Sequence, residues 1–188
     1  RAMPADVIAA LDAARSVERI IVVTGEGRAE RVAMEAARRL ATPIEVLQER
    51  DEQGHSAAAV LGIIRALALG AECSALLPGD CPLLDPAELD AALDRMAPGR
   101  VAVIPDRHGT GTNGLLLSPA DAIGPAFGEG SCERHLDRAG RAGHDAALEE
   151  IPSLALDLDT PGDLDALRER LAATPDLAPA TAAALEGL

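Results

Sequence analysis

Short apolar runs of strand length alternate along the chain with longer stretches in which apolar residues recur at helical spacing. The runs Arg19 to Thr24, Pro43 to Leu47, Cys73 to Leu77, Val101 to Pro105, Gly114 to Leu117 and Leu154 to Leu158 predict buried strands. The intervening pattern predicts helices over Ala5 to Ala14, Arg28 to Leu40, Ser56 to Leu69, Asp85 to Met96, Cys132 to Ala142 and Thr160 to Leu171. A shorter helical stretch is expected from Ala120 to Ala126, and a last small helix within Thr174 to Leu188. Polar or glycine-rich turns fall at Arg50 to Gly54, Asp106 to Gly111 and Gly128 to Ser131. Strands alternating with helices predict a three-layer α/β/α domain, Rossmann-like, with a mostly parallel sheet. The 188 residues suit one such domain, spanning 1–188.

Composition narrows the function more than the fold. The net charge is −14, and Phe127 is the single aromatic residue. A surface that tracks nucleic-acid phosphates or stacks bases is therefore not expected. All 17 basic residues other than His are Arg, so any cationic side chain that meets a phosphate is an Arg. Cys73, Cys81 and Cys132 lack metal-ligand spacing, and their odd number fits a reducing cytoplasm. No apolar run has the length of a membrane span, so no membrane partner is expected.

The chemistry gathers in five segments. Leu76-Leu77-Pro78-Gly79-Asp80-Cys81 reads as a strand that ends in a carboxylate on a tight turn. In open α/β sheets ligands bind beyond the carboxyl ends of strands, where a carboxylate is placed to hold a divalent metal against a phosphate. Asp80 could equally be a turn residue that caps the next helix. Asp157 and Asp159 stand two apart and share one face of the expected strand. Asp159 could be the N-cap of the helix that begins at Thr160-Pro161, whereas Asp157 inside an apolar run needs a cationic partner. Gly54-His55-Ser56 opens a helix, as a site for an anion or a base edge or as an ordinary Ser cap. The loop from Arg107 to Gly114 alternates Gly and Thr, a nest of donors for a carboxylate or phosphate. Phe127-Gly128-Glu129-Gly130-Ser131 precedes a helix carrying Arg134, either as a Ser cap or as an anion site backed by that Arg.

Taken in order, DRHGTGTNGLLLSP, FGEGS with a following RH, and DLDTPGDL resemble the guanylyltransferases of coenzyme F-420 biosynthesis. These act on phosphoenolpyruvate, 2-phospho-L-lactate or 3-phospho-D-glycerate. The segment PGDCPLL is shared more widely, with GT-A-like nucleotidyltransferases of the molybdenum-cofactor type. The resemblance implies transfer of GMP from GTP to a small phospho-acid, phosphoenolpyruvate first among the three, with release of pyrophosphate. It implies Mg²⁺ or Mn²⁺ held by Asp80 and Asp157, with Asp159 as a further ligand, and an acceptor site of Thr112, Gly128 and Ser131. Gly54, Ser56 and Gly79 are expected on the nucleotide side. GTP, the phospho-acid and the next transferase of the pathway are the implied partners. The family's opening strand and its Lys- and Arg-containing loop, expected to cradle the triphosphate, have no counterpart before Ala2. A molybdopterin-type nucleotidyltransferase and an inactive binding homologue are the alternative readings.

Overall fold

The computed structural model describes residues 2–49, 53–156, 158 and 161–187. Helix α1 (Ala2–Ala13) leads into strand β1 (Ile20–Thr24), helix α2 (Gly27–Ala36) and strand β2 (Ile44–Gln48). β1 and β2 pair in parallel, Ile20 opposite Ile44 and Thr24 opposite Gln48. Helix α3 (His55–Ala68) then crosses to β3 (Ser74–Leu76), followed by α4 (Pro86–Leu93), β4 (Arg100–Pro105) and β5 (Thr112–Leu117). Helix α5 (Ser131–Arg141) and β6 (Asp145–Leu148) come next, and α6 (Pro161–Ala173) and α7 (Pro179–Glu186) close the chain.

The second sheet has the order β3-β5-β4-β6. β6 is parallel to β4, while β5 is antiparallel to both β3 and β4. Strands β3, β4 and β6 therefore point one way and β5 alone runs against them, so the sheet is mixed, with β4–β6 parallel and β3–β5 and β5–β4 antiparallel. The reversal brings the start of β5 to the edge where β3 and β4 end. Leu115 lies opposite Leu76, and Thr112 opposite Pro105.

The core follows from alternation along β4 and β5. Ala102, Ile104 and Leu116 face one side with Val7, Leu84, Leu89, Ile151 and Leu154. Val101, Val103, Leu115 and Leu117 face the other with Ile63, Ile123, Cys132 and Ala139. Successive side chains on a strand point to opposite faces, so a strand that is apolar at every position is buried on both. Helices on both faces complete the three-layer α/β architecture expected from the alternation of elements.

Three local expectations are corrected. The segment expected as a strand from Leu154 to Leu158 instead forms a short 3₁₀ turn, Pro152–Leu154, and then irregular chain at 155 and 156. The Leu154 carbonyl accepts from Asn113 Nδ2 at 2.9 Å rather than from a neighbouring strand. Residues 120–126 are turns and bends, not a helix. Pro125 lacks an N–H and disfavours helical backbone at Gly124. The strand β6 falls where none was expected. Its sequence, Asp-Ala-Ala-Leu, is too short and too Ala-rich to show a period, and it forms because β4 offers an edge.

Candidate active site

Several of the expected site residues lie at the carboxyl edge of the second sheet. Asp80 follows β3 on a turn, and the 106–111 loop follows β4. Thr112 and Asn113 open β5 at the same edge. The capping reading of Asp80 falls away, because Asp85 caps α4 and its carboxylate accepts from the Ala87 N–H at 2.8 Å. Leu154 ties the edge together. Its carbonyl receives Asn113 Nδ2 and the Cys81 thiol (3.7 Å), so the chain leading to Asp157 is docked beside both Asp80 and Thr112. Asp157 and Asp159 themselves lie outside the described residues.

The glycine-rich loop is built differently from the nest that its sequence suggests. The Asp106 carboxylate accepts from the N–H groups of His108 (3.1 Å) and Thr110 (3.0 Å). Those donors are therefore spent on the protein's own carboxylate. A Cβ at Gly111 would stand 2.6 Å from Asp106 Oδ2, so only glycine fits there. Arg107 leaves this loop to pair with the buried Asp163 at 2.6 Å, joining the loop to the first turn of α6.

What the loop does present is Thr112. Ser131 Oγ donates to Thr112 Oγ1 at 3.0 Å, and Thr112 Oγ1 also meets His135 Nδ1 at 3.0 Å. Ser131 is not the cap of α5. Gly130, left-handed at φ 66°, holds that position, and Ser131 is the first helical residue. The Ser131 N–H donates to the Gly128 carbonyl at 3.0 Å, so the expected trio of Thr112, Gly128 and Ser131 is contiguous. The α5 N-terminus is not an open anion site. Its Cys132 N–H donates to the Thr110 carbonyl, and Arg134 donates to the Ala126 carbonyl rather than standing toward a ligand.

Ser56 is likewise not a cap. Gly54 (φ 89°) precedes α3, and Ser56 Oγ accepts from the Phe127 N–H at 2.9 Å. This bond joins the loop before α3 to the Phe127-Gly128 loop. A cavity of about 330 Å³ lies between them, lined by Gln53, Gly54, His55, Ser56, Phe127 and Gly128. Gly54, Ser56 and Gly128, expected on two sides of a reaction, thus share one cavity. A second cavity of about 390 Å³ lies between α6 and the 152–156 segment, with Arg107 on its wall.

His135 carries no role in the sequence reading, yet it is fully buried at the centre of the site. Its ring packs edge-on against Phe127, with centroids 5.3 Å apart. Burial, reinforced by the charges of Arg138 and Arg134, lowers its pKa to about 4, so the ring is neutral at pH 7. Its spacing from Ser131, four residues on, puts both on one helix face. That spacing is the signal that could have found it.

Residues 1–155 match the MobA-like NTP transferase domain. The phosphoenolpyruvate guanylyltransferase of Conexibacter woesei is 47% identical over 91% of this chain and 75% of its own length. That of Sphaerobacter thermophilus is 38% identical over 86% of this chain and 74% of its own. The chain belongs to the guanylyltransferases of the MobA-like NTP transferase family. A 3-phospho-D-glycerate guanylyltransferase from Phenylobacterium zucineum is 36% identical over 80% of this chain and 66% of its own, so the family's named acceptors differ. A nucleotidyl transferase from Methanothermobacter thermautotroptrophicus shares the fold, at TM-score 0.68 and 22% identity, covering 92% of this chain and 81% of that one. The chain thus spans about three quarters of the length of the Conexibacter woesei and Sphaerobacter thermophilus relatives. No helix among its described residues is long and apolar enough to cross a membrane.

Proposed function

We propose that this guanylyltransferase joins GMP from GTP to phosphoenolpyruvate or a closely related phospho-acid, releasing pyrophosphate. The observation that supports the reading is the cavity between the α3 loop and the Phe127-Gly128 loop, which Gly128 lines and to which Ser131 and then Thr112 are linked by hydrogen bonds. An oxygen of the acceptor phosphate attacks the α-phosphorus of GTP in line. One P–O bond forms, and the bond from that phosphorus to the leaving pyrophosphate breaks. The acceptor brings its own nucleophile, so the protein's task is positioning and charge compensation. Thr112 holds the acceptor through its hydroxyl hydrogen, with Ser131 bonded behind it, and Gly54 and Ser56 meet the nucleotide.

Among the described residues no group of three or more His, Cys, Asp or Glu is arranged to hold a metal. Asp80, the described member of the expected set, offers a hard carboxylate oxygen at the sheet edge, which suits Mg²⁺ or Mn²⁺. Asp157 and Asp159 would complete that set, and a bound divalent cation supplies neutralisation of the facing phosphates. A substrate of this kind places the protein in coenzyme F-420 biosynthesis, with the product handed to a further transferase.

The test is pyrophosphate release from GTP and Mg²⁺ with phosphoenolpyruvate, 2-phospho-L-lactate and 3-phospho-D-glycerate in turn. Release with one acid, abolished in a folded Asp80→Asn variant, is the expected result. No release with any acid would remove the reading in favour of a molybdopterin-type or inactive homologue. Full activity of Asp80→Asn would remove the metal assignment alone.

A further inference from the structure

The hydrogen bonds around His135 have a direction that follows from one fixed donor. The Ala126 backbone N–H can only donate, and it reaches His135 Nε2 at 2.8 Å. Nε2 must therefore carry the lone pair. A neutral imidazole has one N–H, which leaves the proton on Nδ1. The 3.0 Å contact to Thr112 is then Nδ1–H donating to Thr112 Oγ1. Ser131 Oγ donates to the same oxygen, also at 3.0 Å. A hydroxyl oxygen has two lone pairs and one hydrogen. With Ser131 as the donor of that pair, both acceptor positions of Thr112 are filled from inside the protein, and its hydrogen is left for a ligand.

We propose that His135 is a positioning residue that sets the polarity of the Thr112 hydroxyl, making it an obligate donor toward an anionic oxygen of the acceptor acid. The substrate half of this statement rests on the guanylyltransferase reading above; the polarity of the bonds does not. A threonine hydroxyl that is free to rotate serves donors and acceptors alike. One with both lone pairs occupied offers only a hydrogen. Such a group favours a carboxylate or phosphate oxygen and disfavours a ligand that presents an O–H or N–H at that point, which would leave two hydrogens facing each other.

The surroundings hold this arrangement in place. Arg134 and Arg138, the charged groups nearest the ring, are themselves engaged. Arg134 donates to the Ala126 carbonyl at 3.2 Å, and Arg138 donates to the carbonyls of Gly124 (2.8 Å) and Pro125 (3.3 Å). The two guanidiniums thereby fasten the 124–126 segment, and with it the Ala126 N–H that dictates the tautomer. Their charges also keep the ring neutral, as the lowered pKa records. The loss of helix over residues 120–126 now has a consequence, because the irregular chain is what aims the Ala126 N–H at the imidazole.

The experiment has two arms. Long-range ¹H–¹⁵N NMR reads the tautomer of His135 directly in the wild-type protein, and the four histidines of the chain make assignment tractable. Proton on Nδ1 is expected; proton on Nε2 overturns the proposal. The second arm compares His135→Asn, whose amide N–H₂ falls near the Nδ1 position, with His135→Gln, whose amide reaches only the Nε2 position. With phosphoenolpyruvate, the Asn variant is expected to keep KM within about threefold of wild type. The Gln variant is expected to raise KM for the acid by about tenfold or more, with a smaller change in kcat and in KM for GTP. Equal KM in both variants, at wild-type melting temperature, overturns the proposal. If wild type turns over no acid at all, the guanylyltransferase reading fails. The tautomer then decides the polarity alone, and Nδ1–H still supports it.

Discussion

At Gly111 and Asp106 a single pair of residues decides what the 106–111 loop can be. The Asp106 carboxylate occupies the space a Cβ would need and holds the N–H groups of His108 and Thr110. The Gly-Thr alternation therefore reads as an anion nest in sequence, yet its anion is internal. The resemblance assigned Thr112 and Ser131 to one acceptor site, and their hydroxyls are in contact, but the sequence could not separate a hydroxyl that caps a helix from one that faces a partner hydroxyl. His135 shows the same limit, since a lone histidine on an amphipathic helix has no distinguishing pattern. Its burial has a measurable consequence. The unfolded imidazole titrates near 6.5, whereas the folded one is held to about 4. Its contribution is complete above pH 6.5 and is lost as pH falls toward 4, because the unfolded state takes up the proton first. The loss over that window is on the order of 3 kcal/mol, from roughly 1.4 kcal/mol per pKa unit. Urea unfolding at pH 7 and at pH 4.5 should show a larger loss of stability in wild type than in His135→Asn. Parallel losses in the two proteins would mean that the ring is not held neutral.

Among the elements, α7 is stabilised by another helix. Its own cap position, Ala178, has no side-chain cap bond. The buried Asp6 of α1 substitutes, accepting from the N–H of Ala180 (3.1 Å), the N–H of Thr181 (2.8 Å) and the Thr181 hydroxyl (2.6 Å). A carboxylate at a helix N-terminus satisfies donors that would otherwise be buried without partners and complements the helix dipole. Asp6→Ala should cost about 1–3 kcal/mol and fray α7 first. Hydrogen exchange would report this as faster exchange of the α7 amides, and unchanged protection there would contradict it. The helical period revealed α1 through Val7, Ile8 and Leu11, but no local pattern marks Asp6 as a cap for residues 174 and 175 positions further along. The strand expected over 154–158 failed for a related reason. An apolar run records burial but not the partner, and Leu154 is buried by packing with Leu84, Leu89 and Ile104 rather than by pairing in a sheet.

Across the whole molecule, the site exists because two distant loops meet. Ser56 and Phe127 are 71 residues apart and are joined by one hydrogen bond. That bond closes the cavity between the α3 loop and the acceptor loop. Ser56→Ala should therefore raise KM for both GTP and the acid by about three- to tenfold, since the Phe127 N–H loses its acceptor and the two loops lose their register. Two-substrate kinetics would check this, and an effect confined to GTP would show that the loops act independently. The sequence by itself determined the layered α/β architecture, because an apolar period of two or of about 3.6 is a property of consecutive residues. It also marked the turns where polar groups gather, because turns between buried elements favour Gly, Pro and Asp. Only the tertiary structure decided which of those polar groups face a ligand and which are consumed internally. Hydrogen bonds such as Asp106 to Thr110, Ser131 to Thr112 and Ala126 to His135 are directional and short-ranged, and their partners are chosen by where the fold brings separate segments together.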